Sequence, residues 1–193
     1  VNGGLVFCVA DDPGMHSSQN EQDSRHHAIA SKTPMLEPSD SEECCLFTKL
    51  AYELSERFDT PMLLRLSTRI SHARSIVSLS DRADVPVKEY KKDGAKYIMM
   101  PGKARRRHPI VEERCAALTA FAETDSINRL EDGCDKSVGF VTSSTSYQYV
   151  KEVFGDSASV MKIGMPNPLP VESIKDFASK VKKLYVIEEL DGV

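Results

Sequence analysis

The chain has 193 residues, 25 Lys+Arg against 29 Asp+Glu for a net charge of −4, no Trp and five Cys. That length allows one ordinary domain or two small ones with a real core, and 40% hydrophobic with 28% charged residues excludes a disordered or fibrous chain. The longest apolar stretches, such as Leu5 to Ala10, are far shorter than the ~18 residues of a membrane span, and no charged-then-apolar leader precedes them.

In chain order, Gly4 to Ala10 is a short, nearly continuous apolar run that predicts a strand buried on both faces, with Cys8 a small core residue. Asp11-Asp12-Pro13-Gly14 is a turn signal. Residues 21–30 have a weak helical pattern. Ser39 followed by Glu42 has capping-box spacing, and Cys45, Leu46, Leu50, Leu54 and Phe58 then form a helical apolar stripe. Asp59-Thr60-Pro61 ends that helix, and Met62 to Leu66 predicts the next strand. From 81 to 109 periodicity fades, with at most one short strand at 95–100. A helix over 110–123 follows, then strand 138–142, helix 147–154, strand 159–163, helix 171–181 and strand 184–187.

Strand, crossover helix, strand is the rhythm of a parallel α/β fold. It predicts one α/β unit over 1–80, a basic linker over 81–112 and a second α/β unit over 113–193. Charge supports the division. Residues 1–80 carry 7 basic and 11 acidic side chains, residues 81–114 carry 10 and 6, and residues 115–193 carry 8 and 12. The run Lys103, Arg105, Arg106, Arg107, His108 has no interleaved aromatics and the whole chain is acidic. A solvated linker or protein contact therefore fits better than nucleic-acid binding. The odd cysteine count and the adjacent Cys44 and Cys45 suit neither a disulfide framework nor a metal clamp, pointing to structural thiols, a reducing compartment and a cytoplasmic setting.

Chemistry is expected at the carboxyl ends of parallel strands. After the first strand, Asp11, Asp12, His16, Ser17, Ser18, Gln19 and Asn20 offer acids, an imidazole and hydrogen-bonding groups. Two readings stand for this loop: a ligand-facing site, or turn bonds from the acids with Ser17 or Ser18 capping a helix. A Ser–His nucleophile pair fits poorly, since no G-x-S-x-G elbow is present. A divalent cation on Asp11, Asp12 and His16 is a minor option. After the second strand, Arg69, His72 and Arg74 are candidate anion contacts, and Thr142 to Ser146 joins a strand to a helix N-terminus, where either anion binding or capping accounts for it. His26-His27 has no partner at ligand spacing and is expected to be exposed.

Beyond these patterns, Val9-Ala10-Asp11-Asp12-Pro13-Gly14-Met15-His16-Ser17-Ser18-Gln19-Asn20-Glu21-Gln22-Asp23 closely resembles the α subunits of indolepyruvate:ferredoxin oxidoreductases. So do Leu36 to Ser41, Thr68 to Arg74, Pro101 to Arg105, Tyr147 to Glu152, Lys162 to Met165, Pro168 to Pro170 and Glu188 to Asp191. The resemblance spans nearly the whole chain in order. It implies part of a thiamine-diphosphate enzyme that oxidatively decarboxylates aryl 2-oxoacids such as indolepyruvate to acyl-coenzyme A, passing electrons to ferredoxin in cytoplasmic, anaerobic metabolism. The implied fold is a partial pyrimidine-binding-type parallel-sheet domain followed by a smaller, truncated transketolase C-terminal-like α/β domain. The implied cofactors are thiamine diphosphate with Mg and [4Fe-4S] clusters in the full enzyme, with none bound to this stretch alone. The implied partners are a β subunit, ferredoxin and coenzyme A, with no nucleic acid and no membrane. The activating glutamate is expected upstream of the first strand and the cluster cysteines downstream of Val193, so the resemblance casts the chain, which opens on Val1, as an inactive interior fragment with no catalytic residue or metal ligand of its own. It leaves Asp11, Asp12, His16, Ser17, Gln19, Asn20 and Arg25 as residues facing the active site or a subunit interface. The alternatives are another 2-oxoacid:ferredoxin oxidoreductase or a non-catalytic binding or assembly module.

Overall fold

The computed structural model describes residues 3–82 and 84–193. Val1, Asn2 and Ala83, which fall in the first predicted unit and the linker, lie outside the described residues. Strand β1 (Val6–Asp11) leads through a loop to α1 (Arg25–Ser31), β2 (Met35–Leu36), α2 (Ser41–Phe58), β3 (Met62–Ser67) and α3 (Thr68–His72). The three strands form a parallel sheet in the order β1-β3-β2, with Asp11 paired to Ser67 at the carboxyl end. Strand β1 is an edge strand, so Phe7 is 51% exposed and Cys8 is exposed. This corrects the prediction of a strand buried on both faces with Cys8 in the core: β1 has a neighbour on one side only.

Helix α2 starts one residue later than the capping-box spacing predicts. Asp40 is the N-cap and accepts from the Glu43 N–H at 2.8 Å. Glu43 itself turns inward, where one carboxylate oxygen accepts from the N–H and hydroxyl of Ser39, both at 2.8 Å. Helix α1 begins at Arg25 rather than 21 because Ser24 is drawn back to Asp11, its N–H donating at 2.7 Å and its hydroxyl at 2.6 Å.

Two elements depart further from the sequence pattern. The stretch predicted as a strand at 95–100 is instead the short helix α4 (Gly94–Tyr97). Asp93 caps it by accepting from the Ala95 and Lys96 N–H groups at 3.0 Å. Helix α5 runs over Pro101–Thr124, with Pro101 in its first turn and Pro109 inside it, so the basic run is helical instead of an irregular linker. Proline at the first turn costs no hydrogen bond. The first half of α5 is largely solvent-exposed, and a helix without an apolar face has no stripe to read.

The second sheet has the order β4-β6-β5-β7, built from β4 (Arg129–Glu131), β5 (Asp135–Ser143), β6 (Ala158–Ile163) and β7 (Lys183–Ile187). Only β4 is antiparallel; β5 is parallel to both β6 and β7. Helices α6 (Ser144–Phe154) and α7 (Val171–Ser179) supply the crossovers. The alternating rhythm therefore yields a parallel-dominated α/β fold, as predicted.

The two sheets share one core. Leu36, Phe47, Leu54, Met62 and Leu64 pack with Phe121, Ile127 and Met165, each such burial worth about 1.5–3 kcal/mol. Backbone bonds stitch the same seam: the Met35 N–H donates to the Asn167 carbonyl and the Glu37 N–H to the Gly164 carbonyl, both at 2.8 Å. At its base, Glu43 of α2 pairs with the fully buried Lys162 of β6. Among the described residues, no helix is long and apolar enough to cross a membrane.

Candidate functional site

Parallel pairing of β1 and β3 puts both carboxyl ends side by side, so the loop after Asp11 and helix α3 after Ser67 share one end of the sheet. Asp12 organises the loop. Its carboxylate accepts from the N–H groups of His16 (3.1 Å), Ser17 (2.6 Å) and Ser18 (2.7 Å) and from the hydroxyls of Ser18 (2.8 Å) and Thr68 (2.6 Å). The Thr68 hydroxyl and the Ser17 N–H hold this carboxyl far below the usual carboxylate range. Gly14 makes the turn with φ +79°. That backbone conformation favours glycine, and a Cβ there would press on the His16 imidazole at 3.2 Å.

The loop delivers His16 to an open groove of about 360 Å³ bordered by Thr68, Arg69, His72 and Ala73. Arg69 lies 5.7 Å over the Tyr149 ring, and its Nε is 3.4 Å from a Glu189 carboxylate oxygen. Of the predicted anion contacts, Arg69 and His72 therefore meet His16, whereas Arg74, beyond the end of α3, is exposed and does not border the groove. Ser17 is committed through its N–H to Asp12. Gln19 and Asn20 are exposed, and Asn20 accepts from Gln22 at 3.3 Å. Asp12 forms turn bonds, as one of the two readings has it, but neither Ser17 nor Ser18 caps a helix: both bond Asp12, and Ser24 is the N-cap of α1.

Beneath the loop lies an ionic network. Arg65 of β3 is 1% exposed; its Nε donates to Asp11 at 2.5 Å, and Nη1 pairs with the fully buried Glu37. Arg25 is 2% exposed and bonds both Asp23 oxygens, Glu188 at 2.9 Å and the Asp191 carbonyl at 2.8 Å. Asp23 is drawn below the ordinary carboxylate range: burial opposes this, but hydrogen bonds from Arg25 and the Arg65 charge prevail. Sequence reading missed Arg65 and Glu37. The available signal was a charge inside the apolar run Met62 to Leu66, because a buried guanidinium requires a carboxylate partner.

These bonds remove the option of a cation on Asp11, Asp12 and His16, since Asp11 faces Arg65 and Ser24 while Asp12 faces its own loop. His26 and His27 are exposed as expected. His26 Nε2 pairs with Asp191 at 2.9 Å, a contact 165 residues apart that local spacing cannot reveal. With Asp23 these two form the one group of three potential metal ligands found among the described residues. Arg25 already occupies Asp23 there, so the cluster is satisfied by the protein's own charge. The Thr142 to Ser146 run is buried at the junction of β5 and α6. Ser143, the N-cap of α6, makes no side-chain capping bond, while the Thr145 hydroxyl donates to Glu189 at 3.1 Å.

No protein-family model matches the chain. It is 38% identical over 199 residues, 99% of its length, to the indolepyruvate oxidoreductase subunit IorA of Archaeoglobus fulgidus. It is 37% identical over its whole length to the subunits of the same name from Methanothermobacter thermautotrophicus and Thermococcus kodakarensis. The chain is homologous to the IorA subunits of indolepyruvate oxidoreductases. It spans about a third of the length of these relatives, 31% of the Archaeoglobus and Thermococcus proteins and 32% of the Methanothermobacter one. Among solved structures, the 2-oxoglutarate:ferredoxin oxidoreductase from Magnetococcus marinus shares the fold, with a TM-score of 0.54 and 15% identity over 80% of this chain and 34% of that one.

The residues present do not by themselves form a site for either cofactor the homology implies. A [4Fe-4S] cluster needs a set of thiolates, and no such grouping of cysteines occurs among the described residues. No carboxylate borders the groove to hold an aminopyrimidine ring, because Asp12 is spent on its loop.

Proposed function

We propose that this chain is the part of an indolepyruvate oxidoreductase α subunit that presents the His16–Arg69–His72 groove to the active site or to the subunit interface completing it. The whole enzyme decarboxylates an aryl 2-oxoacid such as indolepyruvate, transfers the acyl group to coenzyme A and sends two electrons to ferredoxin. Thiamine diphosphate with Mg and [4Fe-4S] clusters, held outside these residues, supply the carbanion and electron chemistry. A second subunit, ferredoxin and coenzyme A are its partners. The observation that carries this reading is 36–38% identity to six IorA subunits along essentially the full chain. The groove adds to it: two imidazoles and a guanidinium at the carboxyl ends of parallel strands suit an anionic substrate or cofactor group.

The test is made in the complete enzyme, by following reduction of ferredoxin with indolepyruvate, coenzyme A and thiamine diphosphate. His16→Ala and His72→Ala are expected to lower kcat/KM by about 10- to 100-fold with the melting temperature unchanged. Full activity in both variants would assign the groove to folding alone, and no 2-oxoacid turnover in the complete wild-type enzyme would overturn the reading.

A further inference from the structure

Helix α6 carries Thr145 and Tyr149 one turn apart, which places both on one face. Each holds part of an assembly that ends at the groove. The Thr145 hydroxyl donates to Glu189 Oε2 at 3.1 Å. Glu189, in the segment after β7, has a side chain only 14% exposed, and its Oε1 is buried without a hydrogen bond among the described residues. The cation set against that oxygen is Arg69 Nε, 3.4 Å away, and the Arg69 guanidinium lies 5.7 Å over the Tyr149 ring. A buried carboxylate oxygen needs a compensating charge, and an aromatic face within about 6 Å attracts a guanidinium. Arg69 is thus held at its Nε by Glu189 and across one face by Tyr149, two residues that belong to the second sheet and its crossover.

The far end of the guanidinium is left over. Among the described residues, Nη1 and Nη2 have no hydrogen-bond partner, and the side chain is 47% exposed where it borders the groove with His16 and His72. Two parallel N–H donors on a fixed plane match the paired oxygens of a carboxylate or phosphate. Fixing that plane beforehand removes ordering entropy that binding would otherwise cost. We propose that Glu189 and Tyr149 are positioning residues that hold the Arg69 guanidinium so that its two Nη groups take an oxyanion in the groove. The place of that oxyanion in an enzyme rests on the proposed function; the seating of Arg69 does not. Glu189 also carries a charge that repels an anion, so its positioning and its charge act in opposite directions and can be told apart.

Titration of the chain with acetate and with inorganic phosphate tests this, read on the NMR signals of the Arg69 Nε–H and the His16 and His72 imidazoles. Tyr149→Leu leaves every charge in place and should weaken anion binding about two- to fivefold, whereas Tyr149→Phe, which keeps the ring, retains it. Glu189→Ala should weaken it about fivefold despite removing a negative charge, and Glu189→Gln, which keeps the acceptor, by less. Tighter binding in both Glu189 variants would make the carboxylate a mere counter-charge and overturn the positioning. So would unchanged binding in Tyr149→Leu, or no response of the wild-type chain to either anion; the 2-oxoacid reading would stand in each case. In the complete enzyme, Tyr149→Leu and Glu189→Ala should raise one KM with kcat little changed. A raised KM for indolepyruvate assigns the oxyanion to the substrate carboxylate, and a raised KM for coenzyme A assigns it to a phosphate. Both KM values unchanged would overturn the role of Arg69 in the enzyme. A complete wild-type enzyme that turns over no 2-oxoacid would overturn the proposed function and leave the seating of Arg69 intact.

Discussion

Arg25 donates to Glu188 at 2.9 Å across 163 residues of sequence, tying the start of α1 to the residue that follows β7. The same guanidinium holds Asp23, and Arg65 reaches Asp11 and Glu37 from below. Two buried cations thus serve several carboxylates drawn from both sheets. Removing one partner of such a pair leaves uncompensated buried charge, which costs about 3–5 kcal/mol. Arg25→Met is expected to lower the melting temperature of the chain by roughly 10 °C. Calorimetry checks this; a shift within experimental scatter would mean that solvent reaches the pair.

A second bridge between the sheets gives a pH dependence. Glu43 faces the fully buried Lys162, with Arg129 at 3.1 Å and Ser39 donating twice. Burial pulls the Glu43 carboxyl upward, but the Lys162 charge and its hydrogen bonds win and hold it below the usual range. Burial pulls the Lys162 ammonium down, and Glu43 works against that pull. A carboxyl with a depressed folded-state pKa stabilises above its unfolded value near ~4.3 and loses that contribution as pH falls through the folded value. Glu43→Gln should therefore destabilise the chain by about 3–5 kcal/mol at neutral pH, and the gap to wild type should close as pH falls below the ordinary carboxylate range. Parallel denaturation curves at all pH values would refute the assignment.

How far the sequence reveals this molecule depends on the range of the interactions involved. The apolar runs at Val6 to Ala10, Met62 to Leu66 and Ser159 to Ile163, with the amphipathic stripe of α2, mark their elements because their patterns are local. His16, Arg69 and His72 are identifiable as polar groups at strand ends. The roles of Asp11 and Asp12 are not, since one depends on Arg65, 54 residues away, and the other on Thr68, 56 residues away. Lys162 sits in a strand whose every residue is buried, yet its partner Glu43 is 119 residues distant. The two-residue β2 and three-residue β4 are too short to carry a period-2 signal. The exposed first half of α5 has no apolar face.

Asp12 makes a prediction about dynamics. It gathers three successive N–H groups, from His16, Ser17 and Ser18, onto one carboxylate while Thr68 anchors it to β3's end. Asp12→Ala removes the acceptor for all three. Hydrogen exchange of Ser17 and Ser18 amides should then approach the rate of an unprotected loop, while amides of β3 and α2 keep their protection. Unchanged protection at Ser17 would show that the loop is held by something other than Asp12.

Cysteine reactivity separates the five thiols. Burial pushes the Cys44 thiol up to about 11, with the Asp40 and Glu43 charges adding to the effect. The thiolate is the nucleophile, and a group titrating at about 11 is only ~0.1% thiolate at pH 8. Cys8 on the edge strand and Cys134 before β5 are exposed. Brief treatment with iodoacetamide at pH 8 should modify Cys8 and Cys134 and spare Cys44, read by mass spectrometry of tryptic peptides. The same treatment in urea should modify all five, because unfolding removes the burial that suppresses Cys44. Early modification of Cys44 in the native chain would mean that the first turns of α2 open to solvent, and the inward Glu43–Lys162 pair beside it would have to open with them.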